Sequence, residues 1–94
     1  MNLERAREAA ERELDAMQKR SGIPLVLIDD ATLEKDWCWV FFYQSRDYVE
    51  SGSPSKRLAG NGPIVVEKQA GQLHVLGTAR PLDEELRRLG IHKP

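Results

Sequence analysis

Trp37-Cys-Trp-Val-Phe-Phe-Tyr-Gln44 is the stretch on which the fold turns. It is rich in aromatic and β-branched residues, the composition of a strand. Side chains alternate across a strand, so Trp37, Trp39, Phe41 and Tyr43 are expected on one face and Cys38, Val40, Phe42 and Gln44 on the other. Both sets are largely apolar, which places this strand in the middle of a sheet covered on two sides.

Working outward, Leu25 to Ile28 is a short apolar run that reads as a second strand. Asp29 to Asp36 reads as a polar, acidic connection between the two. Upstream, Leu3, Ala6, Ala10, Leu14 and Met17 recur at steps of three and four, the spacing of one helix face. Asn2 is the expected N-cap, Glu8 and Arg12 are spaced as an i,i+4 pair, and Gly22 and Pro24 end the helix. The helix carries five acids and five bases, a pattern of a solvated outer face.

Downstream, Arg46 to Ser51 reads as a turn or short edge piece, broken by Gly52, Ser53, Pro54 and Ser55. Gly60, Asn61, Gly62 and Pro63 form a turn whose glycines permit positive φ, and Gly77 is also read as a turn residue. Ile64 to Lys68 and Leu73 to Leu76 form a hairpin around Gln69-Ala70-Gly71-Gln72. Pro81 to Leu89 is a final helix, with Asp83, Glu84 and Glu85 at its start, Arg87 and Arg88 at its end, and Gly90 as its C′ residue. The expected fold is α+β in a single domain spanning 1–94. An N-terminal helix packs on a small, mostly antiparallel four-stranded sheet, with a short C-terminal helix.

Composition narrows the function. The 94 residues contain 14 Lys+Arg and 15 Asp+Glu, a formal net charge of −1, without the basic excess of a polyanion binder. The longest apolar run is Trp37 to Tyr43, far below the roughly 20 residues of a spanning helix. No basic start leads into an apolar run, so no signal peptide is expected. One cysteine excludes an internal disulfide and points to a reducing cytoplasm.

The reactive side chains do not converge. Cys38 lies between two tryptophans and reads as a core filler, since apolar burial makes a thiol inert. His74 alternates with Leu73 and Val75 and reads as a surface or partly packed residue, and His92 as a solvated one. The histidines have no paired ligand nearby, and Asp29-Asp30 and Glu84-Glu85 are adjacent rather than face to face, so neither a metal site nor a catalytic carboxylate pair is indicated. Gly60-Asn61-Gly62 lacks the later glycine and the strand–helix context of a nucleotide site. No catalytic residue, metal or cofactor is expected. The residues suited to a protein partner are Trp39, Tyr43 and Tyr48, as aromatic anchors, and Asp29, Asp30 and Asp36, as an acidic patch.

Three segments together resemble a known family: Trp39-Val-Phe-Phe-Tyr-Gln-Ser-Arg-Asp-Tyr48, Arg57-Leu-Ala-Gly-Asn-Gly-Pro-Ile-Val-Val-Glu-Lys68, and Gly71-Gln-Leu-His-Val-Leu-Gly-Thr-Ala-Arg-Pro-Leu82. They look like the YrhB-like family, also called immunity protein 35, and Trp39 matches a tryptophan typical of it. The segment with Trp37 and Cys38 departs from the family pattern. The resemblance implies a small cytoplasmic α+β protein without enzymatic activity, an immunity protein of a bacterial polymorphic toxin system. Its partner would then be a toxin. The family's namesake is described as chaperone-like, which keeps open an ATP-independent holdase with unfolded clients. Neither reading calls for nucleic acid or membrane, and a monomer or a homodimer fits both.

Overall fold

A computed structural model describes residues 2–58, 62–78 and 80–90. The chain opens with helix α1 (Leu3–Ser21), followed by strand β1 (Leu25–Leu27) and a 3-10 turn at Asp29–Ala31. Strands β2 (Leu33–Glu34), β3 (Cys38–Phe41) and β4 (Tyr43–Ser45) come next, then helix α2 (Arg46–Ser51) and a 3-10 turn at Pro54–Lys56. Strands β5 (Ile64–Glu67) and β6 (Leu73–Val75) and helix α3 (Leu82–Gly90) complete it. The α+β class, the leading helix and the short final helix are as the sequence predicts.

Asn2 caps α1, its side chain accepting the Arg5 N–H at 2.9 Å, and Gly22 ends the helix in the left-handed region at φ 73°. Glu8 and Arg12 do not pair. Arg7 takes the charges instead, with Glu11 at 2.8 Å and both oxygens of Asp29 at 2.9 Å. A bidentate carboxylate matches the planar guanidinium better than a single i,i+4 contact does.

The sheet departs from the expected one in its membership. Strands β2-β3-β5-β6 form a four-stranded antiparallel sheet, while β1 pairs only with β4 in a separate two-stranded one. The single strand read from Trp37 to Gln44 is therefore two, divided at Phe42. β3 runs between β2 and β5, with Phe41 opposite Ile64. That ladder ends at this pair, and the Phe42 carbonyl turns the other way to accept the Ile28 N–H. Beyond Phe42, β4 finds β1 instead, with Tyr43 opposite Leu27. The acidic connection Asp29–Asp36 is also partly regular, since Leu33 and Glu34 pair with Val40 and Trp39 as an edge strand.

Arg46–Ser51 is a helix rather than a turn or edge piece. Ser45 caps it, its hydroxyl accepting the Tyr48 N–H and donating to the Lys56 carbonyl. The neighbouring Gln44 is buried because its side chain accepts the N–H groups of Ser45 and Leu58. These two polar side chains tie residues 46–58 to the end of β4.

Two apolar layers cover the four-stranded sheet. On one side Ala6, Ala10 and Leu14 of α1 pack on Trp39, Phe41, Ile64 and Val66. On the other, Leu82, Leu86 and Leu89 of α3 pack on Cys38, Val40, Val65 and Leu76. Phe41, Ile64, Val40, Val65 and Val66 are among the largest fully buried side chains, each worth roughly 1.5–3 kcal/mol of burial. Trp37 breaks the predicted alternation. It precedes β3 and packs with the α3-side layer, away from Trp39.

The turn expectation meets the structure at Gly62, Pro63 and Gly77; Gly60 and Asn61 lie outside the described residues, as does His92. Gly62 does not adopt positive φ. Its requirement is space: a Cβ there would overlap the Leu76 carbonyl, with the Gly77 oxygen 2.8 Å away. Pro63 accepts the Leu76 N–H at 2.9 Å. A Cβ at Gly77 would meet nothing within 4 Å. The left-handed glycine of the β5–β6 turn is Gly71, at φ 69°.

Candidate interaction surface

The aromatic and acidic residues singled out from the sequence are distributed over different parts of the fold. Trp39 lies in the α1-side core and is 5% exposed, its ring beneath the Lys68 ammonium at 5.1 Å. Its buried indole N–H has no hydrogen-bond partner among the described residues. Lys68 is held over that ring by Glu34, 2.7 Å away.

Tyr43 belongs to the same core cluster and is 9% exposed. It lines an apolar groove of about 370 Å³ with Met17, Ile23, Leu25 and Leu58, and Arg20 stands at the rim. The groove forms where the end of α1, the start of β1 and the chain after α2 meet. Burial, with the Glu13 charge adding to it, pushes the Tyr43 pKa up, so the phenol stays neutral. Ile23 is one of the few large apolar side chains left exposed. Tyr48 is half-buried on α2.

The acidic residues divide as well. Asp29 is committed to Arg7, whose hydrogen bonds hold its carboxyl below the usual range against a smaller opposing effect of burial. Asp30 and Asp36 are exposed at either side of β2, whose Leu33 is 39% exposed on the sheet edge. The acidic segment therefore exposes Asp30 in the turn before β2, Leu33 within β2 and Asp36 in the loop after it, with Asp29 paired to Arg7.

Sequence reasoning missed one pair. Glu67 stands opposite Cys38 in the ladder, and its Oε2 lies 2.6 Å from His74 Nε2. The two side chains are 5% and 21% exposed. The pair and Cys38 thus share the α3-side face. Cys38 is 0% exposed, and burial, its largest influence, raises the thiol pKa. The period-2 pattern places His74 and Glu67 on one side of the hairpin once the turn length is known, which is the signal that would have found them. Among the described residues, no three His, Cys, Asp or Glu side chains are grouped to hold a metal, and no helix is long and apolar enough to cross a membrane.

What the geometry offers is a small α+β scaffold with an apolar groove, an acidic edge and a buried thiol. The comparison with known proteins makes the class specific: the profile of immunity protein 35 matches residues 4–88, and the chain belongs to that family. It is also 44% identical over 55 residues to the uncharacterized protein YrhB of Escherichia coli (strain K12). That match covers 58% of this chain and 58% of the relative, so it spans little more than half of either. No solved structure matches the chain.

Proposed function

We propose that this protein is an immunity protein that neutralises a cognate bacterial toxin by binding it directly, without catalysis. The observation that carries the reading is the family match, which extends from α1 into α3 and so includes both covering helices. The edge of β2 supports it with a suitable contact. Asp30 before the strand and Asp36 after it are exposed along with Leu33, and their charge suits a toxin with a basic surface. Tyr43 and its groove supply an aromatic anchor of the kind that dominates binding energy at interfaces.

The test is association with a toxin encoded beside this gene, measured at low salt. Asp30→Lys with Asp36→Lys is expected to slow association about tenfold or more, because steering depends on complementary charge. Unchanged association would overturn the acidic contact, and failure of the wild-type protein to protect cells expressing that toxin would overturn the immunity reading. The second reading, an ATP-independent holdase, has the apolar groove in its favour. Suppressed aggregation of several unrelated clients, lost on Tyr43→Ser, would select it.

A further inference from the structure

Strand β1 has one paired side and one open side. Arg46 N–H donates to the Pro24 carbonyl at 2.9 Å and Ile28 N–H to the Phe42 carbonyl at 2.8 Å, with Val26 opposite Gln44 between them. Hydrogen-bonded pairs alternate along an antiparallel ladder, so Leu25 and Leu27 turn their N–H and C=O groups away from β4. They turn toward α1, because the Leu25 N–H donates to Gln18 Oε1 at 2.9 Å. The Leu27 N–H has no such acceptor among the described residues.

Between this edge and α1 lies a groove of about 600 Å³. Gln18 reaches the Leu25 N–H at one end, and Arg7, paired with Asp29, lines the groove as well. Two cations line the middle, Arg12 from α1 and Arg46 from the start of α2. Among the described residues neither has a carboxylate within ion-pair distance, whereas Glu11 and Asp15, which also line it, are paired with Arg7 and Lys19. The lining as a whole carries three cations and three acids, and the side chains left without an ion-pair contact among the described residues are Arg12, Arg46 and Glu8.

We infer that this groove takes an extended, acidic segment of a protein partner. A carboxylate side chain pairs with Arg12 and Arg46, and a main-chain carbonyl of the same segment accepts the Leu27 N–H. The chemistry is that of strand addition to an open edge, with charge selecting the segment. This deepens the immunity reading and rests on it for the partner being a protein.

The probe is a blocked peptide, acetyl-Thr-Val-Glu-Val-Asp-Val-amide, titrated into the ¹⁵N-labelled full chain. Its control carries Gln and Asn in place of Glu and Asp. The acidic peptide is expected to shift the Leu27 amide and the Arg12 and Arg46 Nε–Hε resonances, and to bind about tenfold more weakly to the Arg12→Gln, Arg46→Gln double variant, the loss of one charge-assisted contact. Both arginines are exposed, so the variant keeps its fold, which the rest of its spectrum reports. Equal shifts from the neutral control, no shift at Leu27, or undiminished binding by the double variant would each overturn the inference. A second arm separates the two readings. Where wild-type protein protects against its toxin and the double variant binds that toxin equally well, the groove inference fails and the immunity reading stands. Where wild type gives no protection, the immunity reading fails and the peptide titration still decides the groove.

Discussion

The two faces of the four-stranded sheet are covered by unequal helices. The α1 face lies under 19 residues of helix, with alanines that let the helix approach the sheet closely, and it holds the buried Trp39 indole N–H, unpartnered among the described residues. The α3 face lies under nine residues, and it also holds the Glu67–His74 pair. Apolar burial scales with covered area, and buried polar groups must be matched to avoid a cost. By covered area the α1 face is the main source of stability, less the cost of its one unmatched N–H, while α3 is a lighter cover whose attachment depends on fewer side chains.

The strongest way to break that contrast is to empty each face in turn. Phe41→Ala on the α1 face should cost about 3–5 kcal/mol in chemical denaturation and loosen the whole domain. Leu86→Ala should cost about 2–3 kcal/mol and act locally. In hydrogen exchange its α3 amides lose protection while those of α1, β3 and β5 keep theirs. If both variants lose protection everywhere, the two faces are one cooperative unit and the distinction fails.

Gly62→Ala tests the sheet that both faces share. The new Cβ would overlap the Leu76 carbonyl, which is backbone and cannot swing aside, so a loss of about 3 kcal/mol is expected. A neutral effect in thermal unfolding would show that the approach of residue 62 to β6 relaxes freely. His74→Ala addresses the α3 face alone. Removing the partner of a buried carboxylate should cost about 1–3 kcal/mol, with α3 amides the most affected.

The smallest effect belongs to the surface pair on the α1 side. Asp29→Asn should lower stability by less than about 1 kcal/mol, since both side chains are well exposed and solvent screens them. Its pH dependence has a definite sign. Arg7 holds the folded-state pKa of Asp29 below the unfolded value of about 3.9, so the contribution is complete above that value and disappears as pH falls through the folded one. Denaturation of wild type and variant from pH 6 downward should converge in acid; a gap that widens there would reverse the assignment.

Much of this was legible locally. Helix α1, with its Asn2 cap and Gly22 terminus, follows from 3.6-residue periodicity and end chemistry. So does α3, from Pro81 and the charge order along it. The β5–β6 hairpin follows from two apolar runs separated by a glycine-containing turn. The candidate surface was less legible. Tyr43 continues the alternation of Trp39 and Phe41 and is buried as they are, yet it also lines a groove. Alternation tells which face a side chain takes, and it carries no information about where the covering helix ends. Asp29 looks equivalent to Asp30 in sequence, and its pairing with Arg7, 22 residues away, makes them different.

From its order of residues alone this chain specifies which segments coil, which extend and which side of each is apolar, because those properties depend on neighbours within four positions. Only tertiary packing decides that one apolar run serves two sheets and that Glu67 is buried against His74. It also decides that β1 keeps an open edge beside Arg12 and Arg46. Each of these is a choice of partner between distant segments, and hydrogen-bond donors and charges acquire their partners only when the chain has brought them together.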